Sequence, residues 1–388
     1  MNILILGNPD SIYIKDFIEY YLLESKKQGR ISRIAIFTIH KYNKIFDKFY
    51  ASKDIKIFSL YKSSMRIFFS VPKIGIFFKI VIFKLMLGKL SAFDICHIQG
   101  IDWFYGFVMG SIRNSSYRVV SGFWGSDLYK VKGDVKIKLQ RRILNNSDLV
   151  ILGTDMMRRV YLKKYRNVRN KNVKVIYFPS PIINYYVNRY KSDKDKCKNL
   201  KLNLPANNKI VVTVGYNGST NQQHLSIIER VNKIDSTILK NVLFVFPVTY
   251  GGSVSYLNAI KKKLEDASFE FLVLENFLSY DDIIYLFERT DVYVHLPVTD
   301  SFSSAMRENI YFESVVITGS WLNYEILDKN NVFYLKIKSI KDLSCSLANV
   351  LDKIEYFKNR SVNNKMLIDE FVLWNKVKNK WDEVYFVD

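Results

Sequence analysis

The sequence predicts an α/β protein of two domains, each built on a doubly wound parallel sheet. Short apolar strands alternate with helix-length segments along the chain, which is the order of elements in such sheets. The 388 residues, 48% of them hydrophobic, exceed one typical domain and are enough for two cores. We predict a linker over residues 186–208, because most of this range is rich in lysine and asparagine and poor in apolar side chains.

The N-terminal domain is predicted over residues 1–185. Its first segment, NILIL, is expected to be a strand and not a signal peptide, because it lacks a basic region, a long apolar run and a cleavage site. Further strands are predicted at residues 34–37, 55–59, 95–98, 119–122, 149–153 and 173–178. Loops at the carboxyl ends of such strands face the ligand cleft. The polar residues in those loops are Asn8, Asp10, His97, Gln99, Asp102 and Trp124 to Asp127.

The C-terminal domain is predicted over residues 209–345, with strands at 209–214, 242–248, 271–274 and 291–298. Glycine-containing turns follow the first two strands, at Gly215–Thr220 and Thr249–Gly252. Such a turn lets backbone N–H groups approach a diphosphate, although G-x-x-G alone is a weak signal. Residues 346–388 are predicted to be helical and to return to the N-terminal domain.

The stretch Thr299–Tyr324 connects two strands of this domain through a helix. Asp300, Ser303 and Ser304 are residue types that cap a helix and leave N–H groups open to an anion. Glu308 lies one turn after Ser304, so both share a helix face. Two acids at this spacing could hold sugar hydroxyls while the helix dipole faces a diphosphate. Alternatively, Asp300 only caps a surface helix and Glu308 is solvated.

The composition indicates a polyanionic partner. The formal net charge is +21, from 58 basic and 37 acidic residues, which fits nucleic acid, anionic lipid or phosphorylated substrates. No signature of a nucleic-acid-binding module supports the first of these, so we expect no nucleic acid partner. Cys96, Cys197 and Cys345 are far apart, which indicates thiols in a reducing compartment, and the four histidines suggest no metal site. We therefore expect a cytoplasmic protein.

The segment Tyr61–Leu90 is the most hydrophobic and basic part of the chain. Its uncharged runs are far shorter than the ~20 residues that span a bilayer. The mixture of Phe, Ile and Lys is typical of interfacial binding, so we predict peripheral contact with the anionic inner face of the plasma membrane. The expected contact residues are Phe68, Phe69, Ile76, Phe77, Phe78, Lys73, Lys79 and Lys84. The alternative is one or two crossover helices packed on the sheet.

Three motifs carry a resemblance to a known family: FWGSDLY (Phe123–Tyr129), GYNGSTNQQH (Gly215–His224) and FPVTYGGSVSYL (Phe246–Leu257). Together with the two predicted domains and the acid-x7-acid spacing of Asp300 and Glu308, they resemble GT-B glycosyltransferases. Within that fold the chain is similar to glycosyltransferase family 56, which transfers 4-acetamido-4,6-dideoxygalactose from a TDP donor in the synthesis of enterobacterial common antigen. Most GT-B enzymes with this pattern have Glu at the position of Asp300.

The resemblance implies a set of donor-binding residues. The residues implied at the diphosphate are Gly215, Asn217, Gly218 and Ser219. Tyr250 and Gly251 are implied beside the nucleobase. Those implied at the ribose and phosphate are Asp300, Ser303, Ser304 and Glu308. No metal is expected, because helix dipoles and a basic side chain such as Arg307 would neutralise the leaving diphosphate, although Arg307 could instead form a structural salt bridge.

The resemblance also implies inversion at the anomeric carbon, which requires a base for the acceptor hydroxyl. Asp127 is the first candidate, followed by Asp10 and His97, because all three lie at the cleft-facing ends of N-terminal strands. The alternative for Asp127 is that it only caps a helix in a tight turn.

The expected fold is therefore GT-B, with two Rossmann-like domains that face a cleft. The expected function is transfer of a UDP- or TDP-linked sugar to a lipid-linked or surface-glycan acceptor in the bacterial envelope. A sugar-nucleotide 2-epimerase of the same fold is the alternative. It would use the same donor site without a lipid acceptor, and the segment Tyr61–Leu90 disfavours it. A nucleic-acid-binding protein is the alternative from a different class.

Overall fold

A computed structural model of the chain describes residues 1–62, 67, 69, 71, 74–90, 92–169, 172–188, 200–204, 209–300 and 302–386. The chain divides into two compact units, Met1–Pro181 with Val377–Asp388, and Ile182–Lys376. Each unit contains one parallel sheet with helices, so the predicted α/β class with two parallel sheets is confirmed. Within the predicted linker, residues 189–199 and 205–208 lie outside the described residues.

The sheet of the first unit is parallel throughout. Its strands in the described residues are β1 (Asn2–Leu6), β2 (Arg33–Thr38), β3 (Lys56–Ser59), β4 (Phe93–Gln99), β5 (Ser116–Gly122), β6 (Leu149–Leu152) and β7 (Val173–Val175). Their order is β3-β2-β1-β4-β5-β6-β7, with Leu4 of β1 in register with Ala35 and Cys96. The strands are largely apolar because helices cover both faces of such a sheet. Every strand predicted in this unit is confirmed, with shifted ends.

The first unit contains short and medium-length helices between these strands. They are α1 (Ile12–Phe17), α2 (Leu23–Lys27), α3 (Asp47–Ser52), α4 (Gly75–Gly88), α5 (Tyr105–Asn114), α6 (Ser126–Tyr129), α7 (Asp134–Asn145) and α8 (Asp155–Lys164). A π-helical turn, Ile18–Leu22, connects α1 to α2. The Thr154 hydroxyl accepts the Met157 N–H at 3.1 Å and so fixes the start of α8.

Helix α4 lies in the segment that we predicted to contact a membrane. One of its faces packs into the core of the first unit through Ile82, Phe83 and Leu87. Phe69 and Ile76 are partly buried and also pack against this core. The crossover alternative describes these contacts, and insertion of side chains from this segment into a membrane stays a prediction.

Another part of the α4 surface is apolar and exposed. Ile74, Phe77 and Leu85 are each at least half exposed, and Lys84 is exposed beside them. The Lys79 ammonium lies 5.7 Å from the centre of the Tyr61 ring. Two of the predicted contact residues, Phe68 and Lys73, lie outside the described residues. In the part of the chain that the structure describes, no helix is long and apolar enough to cross a membrane.

The second unit has its own parallel sheet. Its described strands are β8 (Ile210–Val214), β9 (Val242–Pro247), β10 (Glu270–Leu274), β11 (Val292–His295), β12 (Val315–Gly319) and β13 (Leu335–Ile337), in the order β10-β9-β8-β11-β12-β13. The helices are α9 (Pro181–Asn188), α10 (His224–Val231), α11 (Ser236–Leu239), α12 (Val254–Glu265), α13 (Tyr280–Arg289), α14 (Ser304–Tyr311), α15 (Glu325–Lys329), α16 (Leu343–Asp352), α17 (Ile354–Ser361), α18 (Asn364–Val372) and α19 (Trp374–Tyr385).

The C-terminal helices divide between the units. Leu347 and Val350 of α16 lie in the core of the second unit, and residues up to Lys376 belong to that unit. Only the part of α19 from Val377 onward groups with the first unit. From the sequence we expected all of residues 346–388 on the first domain, because apolar periodicity does not reveal which core a helix faces.

Candidate functional site

Three neighbouring strands of the second sheet end in the loops predicted to bind a donor. Strands β9, β8 and β11 are adjacent and parallel, so their carboxyl ends lie at one edge of the sheet. The loops comprise residues 215–223 after β8, 248–253 after β9, and 296–300 with 302–303 after β11. The structure thus brings the two glycine-containing turns and the start of α14 to the same edge.

The turn after β8 depends on Gly215. Its φ of +65° is a backbone conformation that favours glycine. Its N–H donates to the Val294 carbonyl of β11 at 3.0 Å. A Cβ at this position would lie 3.1 Å from both Gln222 Oε1 and His224 Nε2. The turn is therefore closed on one side by these two buried side chains.

The two glycine-containing turns pack directly against each other. The Gly218 N–H donates to the Tyr250 carbonyl at 2.7 Å. A Cβ on Gly252 would come within 2.7 Å of the Gly218 carbonyl oxygen, a contact that only glycine avoids. Asn217 Oδ1 accepts the Ser219 N–H at 3.0 Å and closes an Asx turn. Three of the predicted diphosphate-binding residues, Asn217, Gly218 and Ser219, therefore lie in a turn that contacts the turn after β9.

Asn221 joins the turn after β8 to the loop after β11. Its Nδ2 donates to the Thr299 carbonyl at 2.9 Å, and its Oδ1 accepts the Thr299 N–H at 3.2 Å. Its own carbonyl accepts the Val298 N–H at 2.8 Å. Gln223 Nε2 adds a bond to the Leu296 carbonyl at 2.6 Å. The sequence did not reveal this role, because the Asn221 partners lie 78 positions away.

Asp300 lies in a buried network. Its Oδ2 accepts the Ser303 N–H at 2.9 Å and the Tyr324 hydroxyl at 2.7 Å, and it lies 3.4 Å from His295 Nε2. Tyr216 of the turn after β8 stacks on His295, with 6.0 Å between ring centroids. The alternative that Asp300 is only a surface cap is wrong, because its side chain is buried. All three contacts involve Oδ2 of Asp300. The predicted role of Asp300 in donor binding therefore depends on its other carboxylate oxygen, Oδ1.

The network favours the ionised form of Asp300. Burial alone would raise the pKa of this carboxyl, but bonds and charge from His295, together with the Ser303 N–H and the Tyr324 hydroxyl, lower the pKa below its usual value. Burial, and then the neighbouring carboxylate, raise the pKa of the Tyr324 hydroxyl far above its usual value. Tyr324 therefore stays protonated and donates to Asp300.

The start of α14 carries the predicted phosphate-binding serines. Ser303 is the N-cap, and its hydroxyl accepts the Met306 N–H at 3.4 Å. Phe302, just before it, has a φ of +67°, which is uncommon for an aromatic residue. Backbone strain of this kind is found at functional turns, where the surrounding contacts hold it in place.

Arg307 and Glu308 follow within the first turns of α14. Arg307 Nη2 donates to the Ser304 hydroxyl at 3.0 Å, and its guanidinium lies 5.6 Å from the centre of the Phe302 ring. Glu308 is only 5% exposed, so the alternative of a solvated Glu308 is wrong. A buried acid at a helix start is unusual, because burial of a polar group costs free energy unless it is bonded.

Two exposed aromatic rings stand beside these loops. Tyr250, in the loop after β9, is 48% exposed, and Phe277, after the adjacent strand β10, is 81% exposed. Their ring centroids are 6.0 Å apart, at an angle of 33°. Gly251, with a φ of +78°, turns the chain next to Tyr250. Phe277 could not be selected from the sequence, because an isolated aromatic residue in a loop has no diagnostic spacing.

His97 lies in the core of the first unit. It is 1% exposed, and its Nδ1 is 2.6 Å from the Tyr385 hydroxyl of α19. Burial lowers its pKa to about 3, so the ring is neutral near pH 7. Its assignment as a base is therefore corrected to a structural role. His97 lies within β4, two residues before the strand ends at Gln99, and the sequence did not show that its side chain faces the core.

Asp127 connects two loops of the first unit. Its Oδ1 accepts the N–H groups of Trp124 and Gly125, both at 2.9 Å, and its Oδ2 accepts the Ile101 N–H at 2.7 Å. Burial raises its pKa, and the backbone N–H bonds oppose that effect. The turn-forming alternative thus describes its contacts, and its role as a base stays a prediction.

Asp10 also binds backbone N–H groups with both oxygens. Its Oδ1 accepts the Ile45 N–H at 2.9 Å, and its Oδ2 accepts the Asn43 N–H. These bonds hold the loop that follows β2 against the loop that follows β1. The structure therefore places Asp10 and Asp127 at the predicted sheet edge and separates His97 from them.

Comparison with known proteins gives matches in structure only. No family model matches the chain, and no curated protein matches it in sequence. A glycosyltransferase from Rickettsia africae has 15% identity and a TM-score of 0.72, and the match covers 99% of this chain and 97% of that one. Anabaena HepE, solved with UDP and glucose, has 13% identity and a TM-score of 0.70, with 99% of both chains covered. The chain has the GT-B fold.

A third solved structure also matches the chain over nearly its full length. Sucrose-phosphate synthase from Thermosynechococcus elongatus has 14% identity and a TM-score of 0.67, over 99% of this chain and 98% of that one. The predicted GT-B fold is thus confirmed over the full length. Identities at this level establish the fold, and the resemblance to family 56 stays a prediction.

Proposed function

We propose that this GT-B protein is a glycosyltransferase with a nucleoside diphosphate sugar as donor. The observation that carries the proposal is the meeting of three loops, rich in backbone N–H groups and carrying a buried acid, at one edge of the second sheet. The fold likeness supports it, because the matched HepE was solved with UDP and with UDP-glucose.

The proposed donor site uses these loops as follows. The N-terminus of α14 faces the diphosphate, which favours negative charge there, and the turn Gly215–Ser219 lies against the diphosphate on the other side. Glu308 accepts bonds from ribose hydroxyls. Tyr250 and Phe277 flank the nucleobase, since aromatic rings stack on any base. The proposed donors are UDP- or TDP-linked amino or deoxy sugars.

The proposed chemistry needs no metal. Negative charge develops on the diphosphate as it leaves, and the helix dipole with Arg307 stabilises that charge. From the resemblance to family 56 we propose inversion, in which the acceptor hydroxyl attacks the face opposite the diphosphate and loses its proton to a base.

The proposed acceptor is a lipid-linked saccharide or surface glycan, as in the synthesis of O-antigen or enterobacterial common antigen. We place the reaction on the cytoplasmic face of the bacterial plasma membrane. Support comes from α4, where Ile74, Phe77 and Leu85 expose apolar surface beside Lys84 and Lys89. Such side chains enter the interface while lysines meet anionic headgroups.

The test is an assay of the purified protein with UDP- and TDP-sugars, with and without a polyprenyl-linked saccharide. We expect nucleoside diphosphate release that depends on the acceptor, and a product longer by one sugar. Epimerised nucleotide sugar formed without acceptor would establish the epimerase alternative. Calorimetry that detects no binding of any donor or nucleoside diphosphate would refute the nucleotide-sugar site itself.

A further inference from the structure

A histidine and a carboxylate form a partly exposed pair in the first unit. His40 follows β2 and Asp102 follows β4, and β1 lies between these two strands. Because the sheet is parallel, both loops lie at its carboxyl edge. His40 Nε2 is 3.7 Å from Asp102 Oδ2. The fold thus brings together two groups that are far apart in sequence.

Local bonds hold both partners in position. The His40 N–H donates to the Thr38 hydroxyl at 3.2 Å, which fixes the backbone at the end of β2. Asp102 Oδ1 accepts the N–H of Phe104 at 2.8 Å, which leaves Oδ2 directed to His40. Asp10 binds two N–H groups of the loop just after His40. The pair is therefore supported by backbone bonds on each side.

Accessibility separates this pair from the other groups considered as a base. A general base must reach the hydroxyl from which it takes a proton. The His40 side chain is 48% exposed, whereas His97 is buried in the core. Both oxygens of Asp127 already accept backbone N–H groups. His40 combines exposure, an imidazole and a carboxylate partner.

We infer that His40 is the catalytic base of the transfer and that Asp102 is a positioning residue. This inference rests on the proposed function. With Nε2 directed to the carboxylate, Nδ1 accepts the proton of the acceptor hydroxyl. The acceptor oxygen bonds to the anomeric carbon while the bond from that carbon to the diphosphate oxygen breaks. The electron pair of that bond leaves with the nucleoside diphosphate, and Nδ1 later releases its proton to water.

The first experiment is the variant His40→Ala, assayed for transfer and for nucleoside diphosphate binding. We expect turnover to fall about 10²-fold or more with unchanged binding, because the proposed donor residues belong to the second unit. Imidazole added to the solution should restore part of the turnover, since the exposed site admits a small base. Lys41→Ala, an exposed neighbour in the same loop, is the matched control and should keep full turnover.

The second variant is Asp102→Asn, whose amide oxygen still accepts the backbone bond. We expect turnover to fall about tenfold or more, without rescue by imidazole, and the 15N shifts of the His40 ring to report a changed tautomer balance. Full turnover in His40→Ala would overturn the inference that His40 is the base, and so would a loss of turnover that imidazole does not restore. Neither result affects the proposed function, provided that the wild-type protein transfers sugar. Absence of transfer by the wild type would instead refute the proposed function.

Discussion

Glu308 is the side chain on which the proposed donor binding depends most directly. It is buried, so Glu308→Ala would also leave a space, and Glu308→Gln is the more informative change. Gln keeps the shape but cannot accept hydroxyl bonds with both ends of its side chain. Charge-assisted bonds contribute about 1.5–3 kcal/mol, so donor Kd should rise roughly tenfold or more.

Calorimetry with UDP and TDP checks this expectation. Glu265→Gln, an exposed acid at the end of α12, is the control and should leave Kd unchanged. Equal Kd values for Glu308→Gln and the wild type would contradict the donor role and reduce Glu308 to a structural acid.

Phe277 offers a second test, with little risk to folding. Its ring is almost fully exposed, so Phe277→Ala should change the free energy of unfolding by no more than about 0.5 kcal/mol. Stacking of an aromatic ring on a base contributes about 1–3 kcal/mol, so UDP Kd should rise roughly tenfold. Pyrophosphate, which has no base, should bind the variant and the wild type equally. A UDP Kd that does not change would exclude Phe277 from the base site.

For single residues, the sequence predicts site members that lie close together in the chain. Ser304 and Glu308 were selected because helix spacing places them on one face, and Ser303 because serine caps helices. The pairs His40–Asp102 and His295–Asp300 could not be predicted in this way. The first joins ends of non-consecutive strands and the second depends on an unusual loop, so no spacing rule identifies either.

A buried polar contact helps to hold helix α19 in place. The Tyr385 hydroxyl meets His97 Nδ1 at 2.6 Å, and Arg118 adds a bond to the Val384 carbonyl at 2.6 Å. Tyr385→Phe would leave the His97 nitrogen without its partner, which costs about 1–3 kcal/mol. We expect a lower free energy of unfolding in urea and faster hydrogen exchange in α19. Tyr356→Phe, at an exposed ring, should change neither, and protection of α19 equal to wild type would contradict the prediction.

Helix boundaries show which elements the sequence specifies locally. Helix α13 begins at Tyr280 because Ser279 and Asp282 form a capping box, a signal that is visible in the sequence. Residues 346–388 are predicted to be helical, and the structure divides this stretch among α16 to α19. Gly and Pro, the residues that usually mark helix ends, are missing there, so tertiary packing determines the breaks.

The whole molecule should lose stability in acid through two buried histidines. Burial lowers the pKa of His97 to about 3 and that of His224 to about 4. In the unfolded chain each ring takes up a proton below about pH 6.5, which the folded state does not do until near those lower values. Stability is therefore retained above pH 6.5 and falls as the pH decreases, by up to about 1.4 kcal/mol per pH unit for each ring.

Urea denaturation at several pH values measures this slope. His97→Gln removes one titrating group, so its free energy of unfolding should depend less steeply on pH between 6.5 and about 4 than that of the wild type. Parallel slopes for His97→Gln and the wild type would mean that His97 does not control acid sensitivity.

The predicted membrane binding depends on two features, the net charge of the whole molecule and the exposed surface of α4. A charge of +21 attracts the chain to any anionic membrane, so charge alone does not show that α4 is the contact. Reversal of Lys84 and Lys89 to Glu removes two local attractions of about 1 kcal/mol each, which should weaken vesicle binding roughly 30-fold. The same reversal at Lys262 and Lys263 of α12 changes the net charge equally and is the matched control.

The apolar part of the contact is tested with Phe77→Ser and Leu85→Ser together. Both side chains are more than half exposed, so their removal should reduce binding even in high salt, where the charges are screened. Flotation with vesicles of anionic lipid, at low and high salt, measures the contribution of the charges and that of the apolar side chains. If the two lysine reversals weaken binding equally, the attraction is a property of the total charge. Helix α4 would then be a core helix whose exposed apolar residues need another partner.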